Sequence, residues 1–484
     1  MTFTQLQYSL LPRNINLATS LTCERRELFN RLAKILTQGN ILVTRLGRIM
    51  LVLLFAVVVL AVLGAALYLG MHFLEERSGE ELKTTSVLAK ECPEKNAVVE
   101  IYREKRLPEN ILKEVVKVLQ QYFGEGAKLG LCSIPWNHTA FGGRTLRVYP
   151  AIALKAEELP EKLRSYIVEE VGGLYVLNYA TSIQVALTAG LRPEFTKEAN
   201  VTIVNGTTPF SSVPRLEGST LDKLKMFLEM LAAARIESVE VAPAEEFPWL
   251  NVYPSVIFSS THNLSQGVVH IVSEHGLYVI NRSFALQLAE VLGSVLGKNI
   301  AAEVRFRPPM SGVELGPETT ILEAALYLDV HCSYSAMLVA QSLDPLLDLY
   351  RSGSAKLYIA LGVLRGGEEA EAALQCYYLT TRNESGYIDL IRKSFSYLLE
   401  KKSSIPLDEV LKLIEERDPQ AVDNIQSCLE EEGAKLIDSS IDAFHKLNTA
   451  GTPTIVLWNT EKKRGLVIVG YVDREQLEEI ISSI

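Results

Sequence analysis

The stretch IMLVLLFAVVVLAVLGAALYLG, Ile49 to Gly70, carries no Asp, Glu, Lys or Arg, and the uncharged run continues through Leu74. At about 1.5 Å per residue, a helix of that length crosses a hydrocarbon core of about 30 Å. The chain has no second run of this kind. One transmembrane helix is therefore expected over 49–74, and everything else must fold on one side of it or the other. Part of the 48% hydrophobic content belongs to this segment.

The flanks give an orientation. Before the run stand Arg13, Arg25, Arg26, Arg31, Lys34, Arg45 and Arg48 against Glu24 and Glu27, whereas Glu75, Glu76, Glu80 and Glu81 follow it. The positive-inside bias places 1–48 in the cytoplasm and the long C-terminal part outside, with 49–74 as an uncleaved signal anchor and 75–91 as a charged stalk. A cleaved signal peptide is the rival reading, but the charged leader is long for one. Within 1–48, Leu28, Phe29, Leu32 and Ile35 are spaced for one face of a helix over Glu24 to Gln38. That helix suits either the inner leaflet or a packed cytoplasmic role. Six Asn-x-Ser/Thr sequons, at Asn137, Asn200, Asn205, Asn263, Asn281 and Asn383, all follow the membrane run and make the exported part a candidate glycoprotein.

A net charge of −10 argues against nucleic acid, which would need a basic stripe to neutralise its phosphates. There is no phosphate loop and no Gly-rich dinucleotide fingerprint, so no cofactor is expected. The histidines are scattered, and His270 and His275 lack a cysteine or carboxylate at ligand spacing, so no metal site is expected either.

After the stalk, one plan recurs. AVVEIY reads as a strand, LPENILKEVVKVLQQYF as an amphipathic helix and AKLGLCSI as a second strand; RVYPAIAL and a helix over ELPEKLRSYIVEEV follow. The order returns as NVTIV, TLDKLKMFLEMLAAA, ESVEVA, NVYPSVIF, HGLYVI and SFALQLAEVLGSVL. A third pass runs EAALYLDV, HCSYS, SAMLVAQSLDPLLDLY, KLYIALGV, then a helical insertion, then GTPTIVLW, RGLVIVGYV and DREQLEEIIS. The expected domains are 92–195, 196–315 and 316–484, the last with its insertion over 367–448. Each pass places an X-Pro before an apolar strand: Tyr149-Pro150, Tyr253-Pro254 and Thr452-Pro453. Proline cannot donate to a central ladder, so either a cis-proline loop or a strand at a sheet edge is implied.

Cys23 precedes the membrane run, which leaves Cys92, Cys132, Cys332, Cys376 and Cys428 outside. Five is odd in a compartment that permits disulfides. Cys376 with Cys428 and Cys92 with Cys132 are the candidate pairs, buried thiols are the alternative, and either pairing leaves Cys332 over.

Cys332 lies in HCSYS, between a strand and a helix. With AALQC, SCLEE and AFHKLNTAGTPTIVL in the same order, the segment from about Gly316 to Ile484 resembles the DsbA-like branch of the thioredoxin superfamily, in the form with a helical domain inserted. The two upstream passes are similar in plan to inactive thioredoxin-like domains of tandem disulfide-isomerase-type proteins. The resemblance implies an α/β fold of tandem thioredoxin-like domains, Cys332 as nucleophile and Thr452-Pro453 as a cis-proline loop beside it. The departure is Ser335, where the family has its resolving cysteine.

A thiol at a helix start is expected to favour thiolate, and a thiolate attacks a disulfide through a mixed disulfide. Ser335 cannot resolve that intermediate; it can only offer a hydrogen bond to the sulfur. Isomerisation or monothiol capture is therefore expected rather than net oxidation or reduction. His331 is a candidate neighbouring charge and Tyr334 a candidate wall of the entrance. The function expected is membrane-anchored thiol-disulfide exchange on exported, cysteine-containing proteins, with a membrane redox partner as a further candidate. The alternative is a non-catalytic client-binding chaperone or scaffold, which a buried, inert Cys332 would favour.

Overall fold

The computed structural model describes residues 96–484 apart from 125–127, 139–140, 142–144, 215, 266–270, 365–367 and 450. The expected cytoplasmic segment, membrane helix and stalk, with Cys23, Cys92 and His270, lie outside the described residues. Among the described residues no helix is long and apolar enough to cross a membrane.

The first module opens with β1 (Ala97–Tyr102), α1 (Glu109–Phe123) and β2 (Gly130–Pro135), with β2 parallel to β1. Burial of Leu112, Val115, Val118 and Leu119 follows the helical repeat, so α1 presents one apolar stripe to the sheet. Next come β3 (Val148–Tyr149), a cis Tyr149-Pro150 bond and β4 (Ala151–Lys155), antiparallel to β1. RVYPAIAL is thus two strands broken at the proline.

The helix expected over ELPEKLRSYIVEEV is a correction. Only α2 (Glu161–Arg164) is helical, and Ile167–Val171 forms strand β5, paired with β6 (Leu174–Leu177). The β-branched Ile167, Val168 and Val171 lose side-chain freedom in a helix, and Gly172 and Gly173, at φ 58 and 74, supply the turn back into β6. α3 (Tyr179–Thr188) closes the module, capped by the Asn178 side chain accepting from Thr181 N. The sheet order is β2-β1-β4-β6-β5.

A short β7 (Glu194–Phe195), paired with β3, leads to the second module. β8 (Glu198–Val204), α4 (Gly218–Ala232) and β9 (Arg235–Ala242) repeat the parallel unit. β10 (Val252–Tyr253), a cis Tyr253-Pro254 bond, β11 (Ser255–Ser259), β12 (Ile271–Glu274), β13 (Leu277–Ile280) and α5 (Arg282–Leu296) repeat the rest. The order β12-β13-β11-β8-β9 matches the first sheet position by position. Arg147, buried between these two modules, donates to Ala232 O at 2.7 Å and Leu264 O at 3.0 Å.

The third sheet carries β14 (Ala302–Val304), β15 (Val313–Leu315), β16 (Leu322–Leu328) and β17 (Ala355–Leu361). Between β16 and β17 run α6 (Ser333–Met337), a π-helical turn over Leu338–Ser342 and α7 (Asp344–Arg351). Pro345 has no N–H to offer Gln341 O, which accounts for the irregular turn ahead of α7. The insertion supplies α8 (Glu368–Thr381), α9 (Glu384–Lys401), α10 (Leu407–Arg417), α11 (Val422–Cys428) and α12 (Ala434–Leu447). The chain closes with β18 (Thr454–Asn459), β19 (Arg464–Val469) and α13 (Arg474–Ser483).

The order β10-β14-β19-β18-β16-β17-β15 means that the expected boundary at 315/316 cuts through a sheet. Short strands from the second segment pair onto both edges of the third. Alternation along β16 divides its two faces. Ala324, Leu326 and Leu328 face the core shared with the insertion, while Ala325 and Tyr327 join the core continuous with the second module and with Phe444 of α12.

Candidate functional site

β16 lies in the middle of the third sheet, parallel to β17 and antiparallel to β18. At its C-terminal end the chain turns: Cys332 N donates to Asp329 O at 3.0 Å, and Ala336 N donates to Cys332 O at 3.0 Å, which starts α6. The register that pairs Tyr327 with Thr454 carries the cis Thr452-Pro453 bond across from this turn. The Cys332 thiol donates to Thr452 O at 3.3 Å. Thr452 Oγ1, also buried, makes no hydrogen bond among the described residues.

Cys332 is 5% exposed and is a thiol, not half of a disulfide. Ser335 is fully buried, and its hydroxyl accepts from Asp329 N at 3.4 Å. It therefore braces the turn from behind. Two buried carboxylates that sequence reasoning missed organise the rest. Asp329 accepts from His331 N at 2.8 Å on Oδ1 and from Leu364 N at 3.2 Å on Oδ2. Glu371, on α8 of the insertion, accepts from Val330 N at 2.9 Å. The sequence signal for Asp329 was an acid immediately after the apolar strand LEAALYL; Glu371 had none, since 41 residues separate it from Val330.

His331 Nδ1 lies 3.5 Å from Asp329 Oδ1. The hydrogen bond and charge of Asp329 raise the imidazole above its ordinary value of 6.5, against a smaller opposing effect of burial. The cation so favoured stands one residue from the thiol. Tyr334 is half-buried on α6.

Cys376 and Cys428 are joined by a disulfide that ties α8 to α11. Neither is a thiol able to resolve a mixed disulfide on Cys332. Cys132 is disulfide-bonded too, with its other half outside the described residues. Of the sequon asparagines, Asn137, Asn200 and Asn263 are exposed. Asn281 caps α5, while Asn205 and Asn383 use their amide nitrogens to donate to Val213 O and Tyr377 Oη. At those last two the nitrogen a glycan would occupy is already committed. Among the described residues no group of three His, Cys, Asp or Glu is placed to hold a metal.

A parallel strand pair joined by a helix, an antiparallel strand entered through a cis-proline, a hairpin partner and a closing helix define a thioredoxin-like module, here with a helical insertion and one thiol at the head of its first helix. No protein-family model matches the chain, and no curated protein does. Among solved structures it is similar to the thiol-disulfide exchange protein alpha-DsbA2 from Wolbachia pipientis, at 16% identity over 35% of this chain and 84% of that one, with a TM-score of 0.29. BdbD from Bacillus subtilis is similar at 15% identity over 36% and 97%, TM-score 0.28. The catalytic domain of ScsC from Proteus mirabilis is similar at 18% identity over 36% and 89%, TM-score 0.27.

Proposed function

We propose that the third module performs monothiol, isomerase-like thiol-disulfide exchange through Cys332, on exported proteins that carry cysteines. The observation that carries this reading is the placement of the Cys332 sulfur, 3.3 Å from the carbonyl that precedes cis-Pro453, with an imidazole of raised basicity beside it. In the step envisaged, Cys332 loses its proton to solvent and the thiolate attacks one sulfur of a client disulfide. A mixed disulfide forms and the client's other sulfur leaves as thiolate. Return attack by a client thiolate releases Cys332, so a disulfide has moved and no net electrons have. With Ser335 in place of a second thiol and Cys376 bonded to Cys428, resolution comes from the client or from an outside thiol.

In this reading 49–74 anchors the chain, 1–48 is cytoplasmic, and the two upstream modules are thioredoxin-like domains without thiols in the equivalent turn. One observation favours a second reading: at 5% exposure, Cys332 sits nearly covered. A module that binds clients along its cis-proline edge without covalent chemistry accounts for that burial.

The pH-dependent alkylation rate of Cys332 in the folded protein, with Cys332→Ser as blank, decides between them. Exchange requires a rate that titrates well below the ordinary thiol value of about 8.5. Labelling that waits for unfolding leaves only the binding role.

A further inference from the structure

The turn after β8 occupies the place in the second module that HCSYS occupies in the third. Counting from each strand's end, Thr208 falls at the position of Cys332 and Ser211 at that of Ser335. Thr208 Oγ1 and Ser211 Oγ lie 2.8 Å apart, so two hydroxyls converge at two-residue spacing. Pro209 and Phe210 lie between them.

This turn is occupied. Glu303, 1% exposed on β14, accepts from Thr207 N at 2.7 Å, Thr208 N at 3.2 Å and Ser211 Oγ at 2.9 Å on Oε2, and from Thr207 Oγ1 at 2.9 Å on Oε1. Gly206 makes the approach feasible, because a Cβ there would stand 2.6 Å from Glu303 Oε2 and 2.1 Å from Ser211 Oγ. β14 is itself hydrogen-bonded to β19, and Arg464 of β19 donates to Thr207 Oγ1 at 2.9 Å. Phe210 O accepts from Ala301 N at 2.9 Å, and its ring packs against the core of the third module.

We infer that the Thr208–Ser211 turn is a two-thiol geometry carried by hydroxyls and occupied by Glu303 as an internal ligand, so that it docks the second module onto the third module's sheet instead of engaging clients. The surface that an exchange module would present outward is spent here on the chain itself. Four hydrogen bonds to one buried carboxylate leave it no room for an incoming chain and no unsatisfied oxygen. This inference is independent of the chemistry at Cys332.

Two variants in the full chain test it, both in a Cys332→Ser background so that failure of the exchange reading cannot mimic failure here. In Thr208→Cys/Ser211→Cys, the longer C–S bonds bring the two sulfurs to about the bonding distance of 2 Å. Folded in the presence of oxidised glutathione, which meets both thiols before the turn closes and takes their hydrogens, the variant should hold one intramolecular disulfide with two reduced glutathiones released, read as the loss of two thiols alkylatable after denaturation. A folded double variant that keeps both thiols alkylatable overturns the geometry. For the docking role, Glu303→Ala, which removes the acceptor outright, is followed by native-state hydrogen exchange. Exchange at Thr207 and Thr208 amides should rise by about tenfold or more, with β8 and β16 unchanged. Unchanged protection at those two amides overturns the internal-ligand assignment.

Discussion

Replacing Cys376 and Cys428 by alanine should loosen the insertion far more than any single surface change. The disulfide closes a loop across a sequence separation of 52 residues. Chain-entropy arithmetic for a loop of that size gives about 4 kcal/mol of stabilisation at room temperature, most of it from constraining the unfolded chain. The folded side of the balance changes little, because Cys376 is fully buried among apolar neighbours that an alanine also suits. About 4 kcal/mol corresponds to about a thousandfold in the opening equilibrium.

The assay is native-state hydrogen exchange at the buried turns of α8, around Ala373 to Tyr377, compared between the native chain and the double alanine variant. The magnitude applies to exchange through unfolding of the insertion, in which the whole closed loop is released, so the most protected of those amides are the ones compared. The amides of β16 serve as the internal reference. A change below about tenfold would refute the reasoning, since it would mean that the loop is already constrained by the packing of α8 against α10, α11 and α12. The outcome also bears on mechanism: Glu371 reaches the Cys332 turn from this same helix, so a looser α8 should weaken the hydrogen bond that holds Val330.

Three further outcomes follow from the same geometry. Ser335→Cys should add a resolving thiol behind Cys332 and confer dithiothreitol-driven reduction of insulin above the Cys332→Ser blank; absence of turnover in a folded variant would show that the turn cannot bring the two sulfurs together. Asp329→Asn should lower the titration of His331 toward 6.5. Because the folded value is the raised one, the stabilisation from protonated His331 is complete below about 6.5 and is lost as pH rises through the folded value; an imidazole NMR titration that does not move would sink the assignment. Arg147→Ala should destabilise the contact between the first two modules by about 2–4 kcal/mol, because Ala232 O and Leu264 O lose a charged donor. Urea titration checks it, and a loss under about 0.5 kcal/mol would mean that water replaces the guanidinium.

What the sequence made legible was local. The stripe of α1, the short apolar runs of β16 and β18 and the three X-Pro steps each follow from a local pattern or from one residue's backbone chemistry, and the structure has a helix, two buried strands and three cis bonds there. Ile167–Val171 misled because Leu163, Tyr166 and Ile167 sit at helical spacing, while the local signal that outweighs it is the Gly172-Gly173 pair, a two-residue turn that folds β5 back onto β6. β14 is only three residues long, and its partner β19 lies more than 160 positions away. Glu303 therefore reads as an ordinary acid until the sheet is assembled.

The same separation between frame and chemistry explains the site. In the first module the turn after β1 passes through Arg103 to Arg106 and is held by Glu100, whose carboxyl is pushed up by burial while Leu107 N and Ser133 Oγ donate to it. In the second, Glu303 holds Thr208 and Ser211; in the third, Asp329 and Glu371 hold the segment around Cys332. Every copy needs a buried acceptor there, because a strand that ends inside the fold leaves N–H groups that must be satisfied. The acceptor comes from a different element each time: β1 itself, β14, or the turn and α8. Four residues past the strand's end the first module has Arg106, the second Thr208 and the third Cys332, just ahead of α6. The fold asks for a capped turn, and the chemistry depends on which residue stands in it.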